Sequence, residues 1–255
     1  MVAAWRIRRI LPAVVALAAV AVVGCSGDAQ PPVRPSVAIG ASPGASGTPT
    51  STAVPTGPLP SSAPGATPSF IATVATLTAA DVPHTWHSGC PVAPADLRLM
   101  HLSFWGFDKR PHIGTMVVNA SVTGDVMKIF SVLYQQQFPI RRMQPEDAFN
   151  GSDADSMAAD NTSGFNCPAG SSGAGHSSEH ALGKAIDVNP VENPDASGKN
   201  PMPPAGKDFL NRSDLRPGMA VPNGVLVKAF TAAGWVWSGP SASGPNYQHF
   251  STNGR

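Results

Sequence analysis

Three residues of this 255-residue chain have side chains suited to holding a metal ion. His180 and Asp187 stand seven apart in His180-Ala181-Leu182-Gly183-Lys184-Ala185-Ile186-Asp187, and Gly183 interrupts any continuous helix between them. Zinc accepts imidazole nitrogen and carboxylate oxygen, and a catalytic zinc keeps three protein ligands plus an open position for water. A third donor must therefore come from elsewhere among the seven histidines. His249 lies between Gln248 and Phe250, in a segment that reads as a buried strand and so as a rigid platform. On spacing alone a structural role for each histidine stays open, because short motifs match by chance.

With its flanks, the first segment is Ser178-Glu179-His180-Ala181-Leu182-Gly183-Lys184-Ala185-Ile186-Asp187. It resembles the S-x-H-x-x-G-x-A-x-D motif of the D-alanyl-D-alanine carboxypeptidase family, peptidase M15. That family includes VanX- and VanY-type dipeptidases and carboxypeptidases and the L-alanyl-D-glutamate endopeptidases of phage lysins. Tyr247-Gln248-His249-Phe250 resembles the family's closing D-Y-x-H-F segment. Asp160-Asn161-Thr162-Ser163-Gly164-Phe165-Asn166-Cys167, Asn189-Pro190-Val191-Glu192-Asn193-Pro194 and Gly234-Trp235-Val236-Trp237 are similar to the family too, in the same order.

The resemblance implies zinc held by His180, Asp187 and His249, with Ser178 lining the substrate site. It implies hydrolysis of peptidoglycan stem peptides, of the D,D-carboxypeptidase or L-Ala-D-Glu endopeptidase type. In the family, zinc polarises the scissile carbonyl and acidifies a water whose proton a carboxylate takes. The family's base stands three residues before the last histidine, where this chain has Asn246. An amide accepts a hydrogen bond but takes no proton usefully near neutral pH. The family's arginine after the cysteine is replaced by Pro168, and its Trp-Gly-Gly stretch by Trp237-Ser238-Gly239-Pro240. The second reading is therefore a zinc-binding wall protein with weakened or no hydrolysis. A third, a metal-free secreted adhesion domain, requires the ligand likeness to be coincidental.

Glu179 is the carboxylate adjoining a ligand, and reads more simply as a solvated charge. His176 sits in a Gly/Ser-rich stretch and reads as an exposed loop histidine, with a fourth nitrogen or a proton shuttle as the alternative. Arg141 and Arg142 could bind a substrate carboxylate, though surface charges usually do no specific work. Trp235 and Trp237 read as core or cleft-wall aromatics.

The elements that must position these groups are mixed in type. Ile113–Val122 is rich in β-branched residues and predicts a strand. A helix follows, capped by Thr123 or Asp125, with Val126, Ile129, Phe130 and Leu133 on one face. Phe138–Met143 and Ala185–Val188 are short strand candidates. Residues 150–179 are rich in Gly, Ser, Asn and Asp and predict loop. Val225–Ala233 predicts a helix stopped by Gly234, and 235–237 with 247–250 predict closing strands. The expected class is α+β: a small antiparallel sheet with flanking helices and the zinc site in a central cleft.

Ahead of this domain, expected at 81–255, lies an export address. Arg6, Arg8 and Arg9 precede the apolar run Ile10–Val23, which is shorter than the ~20 residues of a membrane span and has the form of a signal peptide, 1–24. Val22-Val23-Gly24-Cys25 resembles a bacterial lipobox, which implies lipidation of Cys25. An uncleaved N-terminal anchor is the alternative, and both place the remainder outside the cytoplasm. Residues 25–80 read as a disordered spacer; of residues 26–69, 36 are Pro, Ser, Thr, Gly or Ala, too little apolar surface to offset the entropy of ordering. Cys90 and Cys167 remain, and an oxidising compartment favours their pairing, with two independent thiols as the alternative. Formal net charge is +1, and without the leader 14 basic residues face 16 acidic ones. No basic stripe is present, which excludes nucleic acid as an expected partner.

Overall fold

The computed structural model describes residues 68–167, 178–241 and 244–254. The leader, Cys25, most of the spacer, Pro168 and His176 lie outside the described residues.

An antiparallel meander forms the largest sheet, in the order β1 (Ala72–Thr76), β2 (Leu97–Trp105), β3 (Pro111–Asn119). Strand β1 pairs with β2 from Ala72 opposite Leu102 to Thr76 opposite Arg98. The fold therefore begins inside the stretch read as spacer to residue 80. Strand β3 was expected at Ile113–Val122 but ends at Asn119, where a 3-10 turn, Ala120–Val122, leads into helix α1, Thr123–Gln135. Neither Thr123 nor Asp125 caps α1. The cap position is Val122, with no side-chain bond, and Asp125 lies in the first turn, where its charge suits the helix dipole. Val126, Ile129, Phe130 and Leu133 are all buried, as their i, i+3, i+4, i+7 spacing predicts.

The rest is built from short pieces. Strand β4 (Arg142–Met143) pairs in parallel with β5 (Asn161–Thr162). Between them a short helix, α2 (Asp153–Ala158), occupies residues read as loop, with the Ser152 hydroxyl accepting from the Asp155 amide at 3.3 Å. A second sheet has the order β6 (Ala185–Asp187), β8 (His249–Ser251), β7 (Val236–Trp237). Helix α3 (Val225–Ala232) precedes β7, and Gly234 takes φ +84° just past its end, the left-handed turn that the stop signal requires. Small antiparallel sheets and flanking helices make the class α+β.

The main core joins the first sheet, α1, α3 and the second sheet through residues such as Met100, Phe130, Ile186, Phe230 and Phe250. Phe250 of β8 stacks on Phe230 of α3 with ring centroids 4.1 Å apart. A second apolar cluster contains Val82, Leu97, Val117, Phe165 and Cys167. The Cys90–Cys167 disulfide closes a 77-residue separation beside it, with Cα atoms 6.1 Å apart.

Candidate active site

The site follows from the pairing of two strands. Asp187 of β6 lies directly opposite His249 of β8, and Ile186 lies opposite Phe250. Alternation along each strand aims Asp187 and His249 to one face while Ile186 and Phe250 enter the core. His180 reaches the same face from the turn before β6. Gly183 makes that turn possible with φ +66°, and a Cβ there would sit 2.6 Å from the Asn119 amide nitrogen. The close approach is used: the Asn119 amide donates to the Gly183 carbonyl at 2.8 Å, and its side-chain amide donates to Leu182 at 3.0 Å.

The three side chains converge. His180 Nε2 lies 3.1 Å from His249 Nδ1 and 3.4 Å from Asp187 Oδ1, and His249 Nδ1 lies 3.1 Å from Asp187 Oδ1. A tetrahedral zinc with bonds of about 2.0–2.1 Å separates its donors by roughly 3.3 Å, so the donor triangle fits one such ion. His180 Nδ1 donates to the Gly164 carbonyl at 2.7 Å. That bond orients the ring so that Nε2 faces His249 and Asp187, the arrangement typical around a ligating imidazole. Burial opposes charge on His180, yet the Asp187 carboxylate and the Gly164 carbonyl raise the ring to about 9. Burial likewise opposes charge on Asp187, but the two imidazoles hold its carboxyl far below the usual carboxylate range.

The segment Asp160–Cys167 straps the site together. Ser163 and Asp187 exchange two backbone hydrogen bonds, each 3.0 Å. Gly164 holds His180, the Asn166 amide donates to the His180 carbonyl at 3.2 Å, and Cys167 is locked by its disulfide. Asn189 and Asn193 act beyond the end of β6 as a buried polar hub. The Asn193 side chain donates to Val188 and Gly218 and accepts from Arg212 and the Ala220 amide.

The triad opens into a cleft of about 670 Å³ that Ser178, Asn246 and Gln248 also line. Ser178 is exposed at its edge, its hydroxyl accepting from the His180 amide at 3.2 Å. Asn246 stands in the cleft, and its buried Oδ1 has no hydrogen-bond partner among the described residues. One reading changes. Glu179 is not solvated: it is 6% exposed, and its carboxylate accepts from Asn253 at 2.8 Å and Thr252 at 3.4 Å, anchoring residues after β8. Its neighbour sits in a turn, so the alternation of an extended segment does not apply. Arg141 turns away to Asp160 and Glu192, each at 3.4 Å, and stacks on Phe107; Arg142 is exposed and reaches Gln144. Neither lines the cleft.

The structure adds a carboxylate with no motif to announce it. Glu146, in the 3-10 turn Glu146–Phe149, is 2% exposed and lines the cleft. Ser163 Oγ donates to Glu146 Oε1 at 2.8 Å, and Asn166 Nδ2 donates to Oε2. Burial, and after it the charge of Asp153, push Glu146 up to about 7, with the Ser163 bond opposing. Asp153 and Asp195 line the same cleft.

No curated protein and no solved structure matches this chain. A model of D-alanyl-D-alanine carboxypeptidases, a family of peptidase M15, matches residues 172–252, the stretch that carries His180, Asp187 and His249. The three side chains of the triad thus all lie in a stretch that is similar to the M15 D-alanyl-D-alanine carboxypeptidase family.

Proposed function

We propose that this chain is a zinc metallopeptidase of the bacterial cell surface that acts on peptidoglycan stem peptides, with His180, Asp187 and His249 as the ligands. Export through the leader and lipidation of Cys25 would tether it, with the Pro/Ser/Thr/Gly/Ala-rich segment as the spacer. The observation that carries the reading is the donor triangle of 3.1, 3.1 and 3.4 Å, on a strand pair whose register fixes two of its corners. Zinc there would supply Lewis-acid polarisation of a peptide carbonyl and a water acidic enough to attack near neutral pH. Ser178 would contact substrate at the edge of the cleft. Glu146 would accept the proton, since it is a carboxylate facing the same cleft and its ordinary proton affinity is shifted toward neutrality. A D,D-carboxypeptidase and an L-Ala-D-Glu endopeptidase are both compatible with this set.

One observation favours a non-hydrolytic variant that only holds muropeptides: the base position is Asn246, an amide whose buried oxygen has no partner among the described residues. A positioned base is worth ~10²–10⁴ in rate. Zinc analysis and turnover separate the possibilities. The purified chain is expected to hold one zinc, and His180→Ala to hold far less. A wild type that takes up no zinc when refolded with metal would end both readings. On D-Ala-D-Ala and L-Ala-D-Glu peptides, wild-type turnover should be slow, Asn246→Asp faster and Glu146→Gln slower still. Wild-type turnover unchanged in Glu146→Gln would remove Glu146 as the acceptor, and none in any variant would leave the binding-only form.

A further inference from the structure

Apart from the two histidines of the triad, the ionisable side chains lining the cleft among the described residues are all carboxylic. Beyond the ligand Asp187 the cleft is lined by Glu146, Asp153 and Asp195, and none of its described lining residues is Lys or Arg. Of the undescribed residues next in sequence to the lining, 168–177 and 242–243 contain neither residue, and Arg255 follows Gly254. Arg141 is engaged by Asp160 and Glu192 outside the lining. Capture of a free peptide carboxylate normally uses a guanidinium or ammonium. Here such a carboxylate would meet the carboxylates of Asp153 and Asp195, and a divalent ion in the triad would already share its charge with Asp187.

The neutral polar groups point the same way. Gln248 is 2% exposed and Asn166 7% exposed, and both line the cleft. Among the described residues, Gln248 Oε1, Asn166 Oδ1 and Asn246 Oδ1 have no hydrogen-bond partner. The amide nitrogen of Asn166 is already used on Glu146 and Gly151, and that of Gln248 on Met157. What Asn166 and Gln248 leave open is therefore acceptor oxygen, and Asn246 adds a third. A buried acceptor without a donor is costly, and a ligand that brings N–H groups and positive charge answers both the amides and the carboxylates. The volume of about 670 Å³ accommodates a short peptide.

We infer that the cleft selects peptides by a free ammonium group, seated among Asp153, Asp195 and the unpartnered oxygens of Asn166, Asn246 and Gln248, and not by a terminal carboxylate. The inference rests on the peptidase reading for the kind of ligand, a peptide, and adds its charge. The ammonium has two possible sources, a basic side chain or the amino terminus of the peptide.

Calorimetric titration of the metal-free full chain tests this without any turnover. The probes are L-Lys-D-Ala-D-Ala with both amines free, with the α-amine acetylated, with the ε-amine acetylated and with both acetylated, each as free acid and as C-terminal amide. The doubly acetylated forms should bind about tenfold more weakly than the best amine-bearing form, and amidation of the carboxyl should not weaken binding. Loss on ε-acetylation alone assigns the side chain; loss on α-acetylation alone assigns the amino terminus. The preference should persist in Arg255→Ala, which removes the basic residue next to Gly254, and shrink in Asp153→Asn/Asp195→Asn, whose amides keep the size of the carboxylates. Equal binding of acetylated and free forms, tenfold loss on amidation, an undiminished preference in the double variant, or no binding of any form overturns the inference. Zinc content is scored separately. Amine preference without zinc uptake keeps this inference and ends the peptidase reading, whereas zinc uptake without amine preference does the reverse.

Discussion

Glu146 and Asn246 lie in one cleft and differ in a single respect, the ability to take a proton. The position that the family motif reserves for the acid holds an amide, while a carboxylate arrives from a turn 34 positions before His180. Burial of Glu146 has a thermodynamic signature. Its proton affinity in the folded chain, about 7, lies above the ordinary glutamate value of 4.5. The folded state then binds more protons than the unfolded state between those values, so stability falls as pH rises through that window and levels off above it. A difference of that size corresponds to about 3 kcal/mol. Chemical denaturation at pH 5 and pH 8 should show a loss of stability smaller by about that amount in Glu146→Gln than in wild type. Equal losses in the two proteins would contradict the burial of this carboxylate. At this scale the convergence of His180, Asp187 and His249 was legible because residue type, spacing and flanking motif agree. Glu146, Asp153 and Asp195 were not, since a carboxylate in a turn carries no periodic signature. Glu179 misled because its exposure depends on the segment after β8 folding back over it.

The elements explain why so short a motif suffices. The turn Ser178–Gly183 brings His180 to the strand pair only because residue 183 tolerates φ +66° and no Cβ meets the Asn119 amide. Gly183→Ala should lose about 1 kcal/mol to the left-handed backbone alone, and more than that from the contact with Asn119, for a total of ~2 kcal/mol or more. Urea unfolding measures it, and zinc affinity should fall with it; a neutral substitution would mean that the turn is not built as described. Helices α1 and α3 were readable because an apolar stripe and a glycine stop agree with the final packing. Strand β2 was missed because Leu97–Trp105 lacks strict alternation, being buried at four of its last six residues. Helix α2 was missed because Asp and Ser suggest loop, while six residues leave no room for a stripe. Strand β1 begins just past the Pro/Ser/Thr/Gly/Ala-rich stretch 26–69: Ala72–Thr76 is mostly exposed and owes its order to pairing with β2, a partner that local sequence does not name.

At the scale of the whole molecule, two distant stretches are fastened to the site by covalent and apolar means. The disulfide ties residue 90 to the strap that carries Gly164, and loop closure over its 77-residue separation is worth about 4 kcal/mol in the chain-entropy account. Composition and charge spoke for an exported domain on a spacer, whereas the way its two small sheets share one core could be read only from their pairing. That sharing makes His249 and Phe250 neighbours with opposite duties, one turned to the triad and the other stacked against α3. An ion that clamps the triad therefore also clamps the registry of the strand that closes the core. Zinc at a hundredfold excess over its dissociation constant should add about 2.7 kcal/mol to stability, seen as a higher melting midpoint that chelation reverses and His180→Ala lacks. A melting curve would thus work as a sensor of metal occupancy even in a chain that never cuts a bond, and sequences altered deep in the hydrophobic interior would announce themselves as changed appetite for the ion.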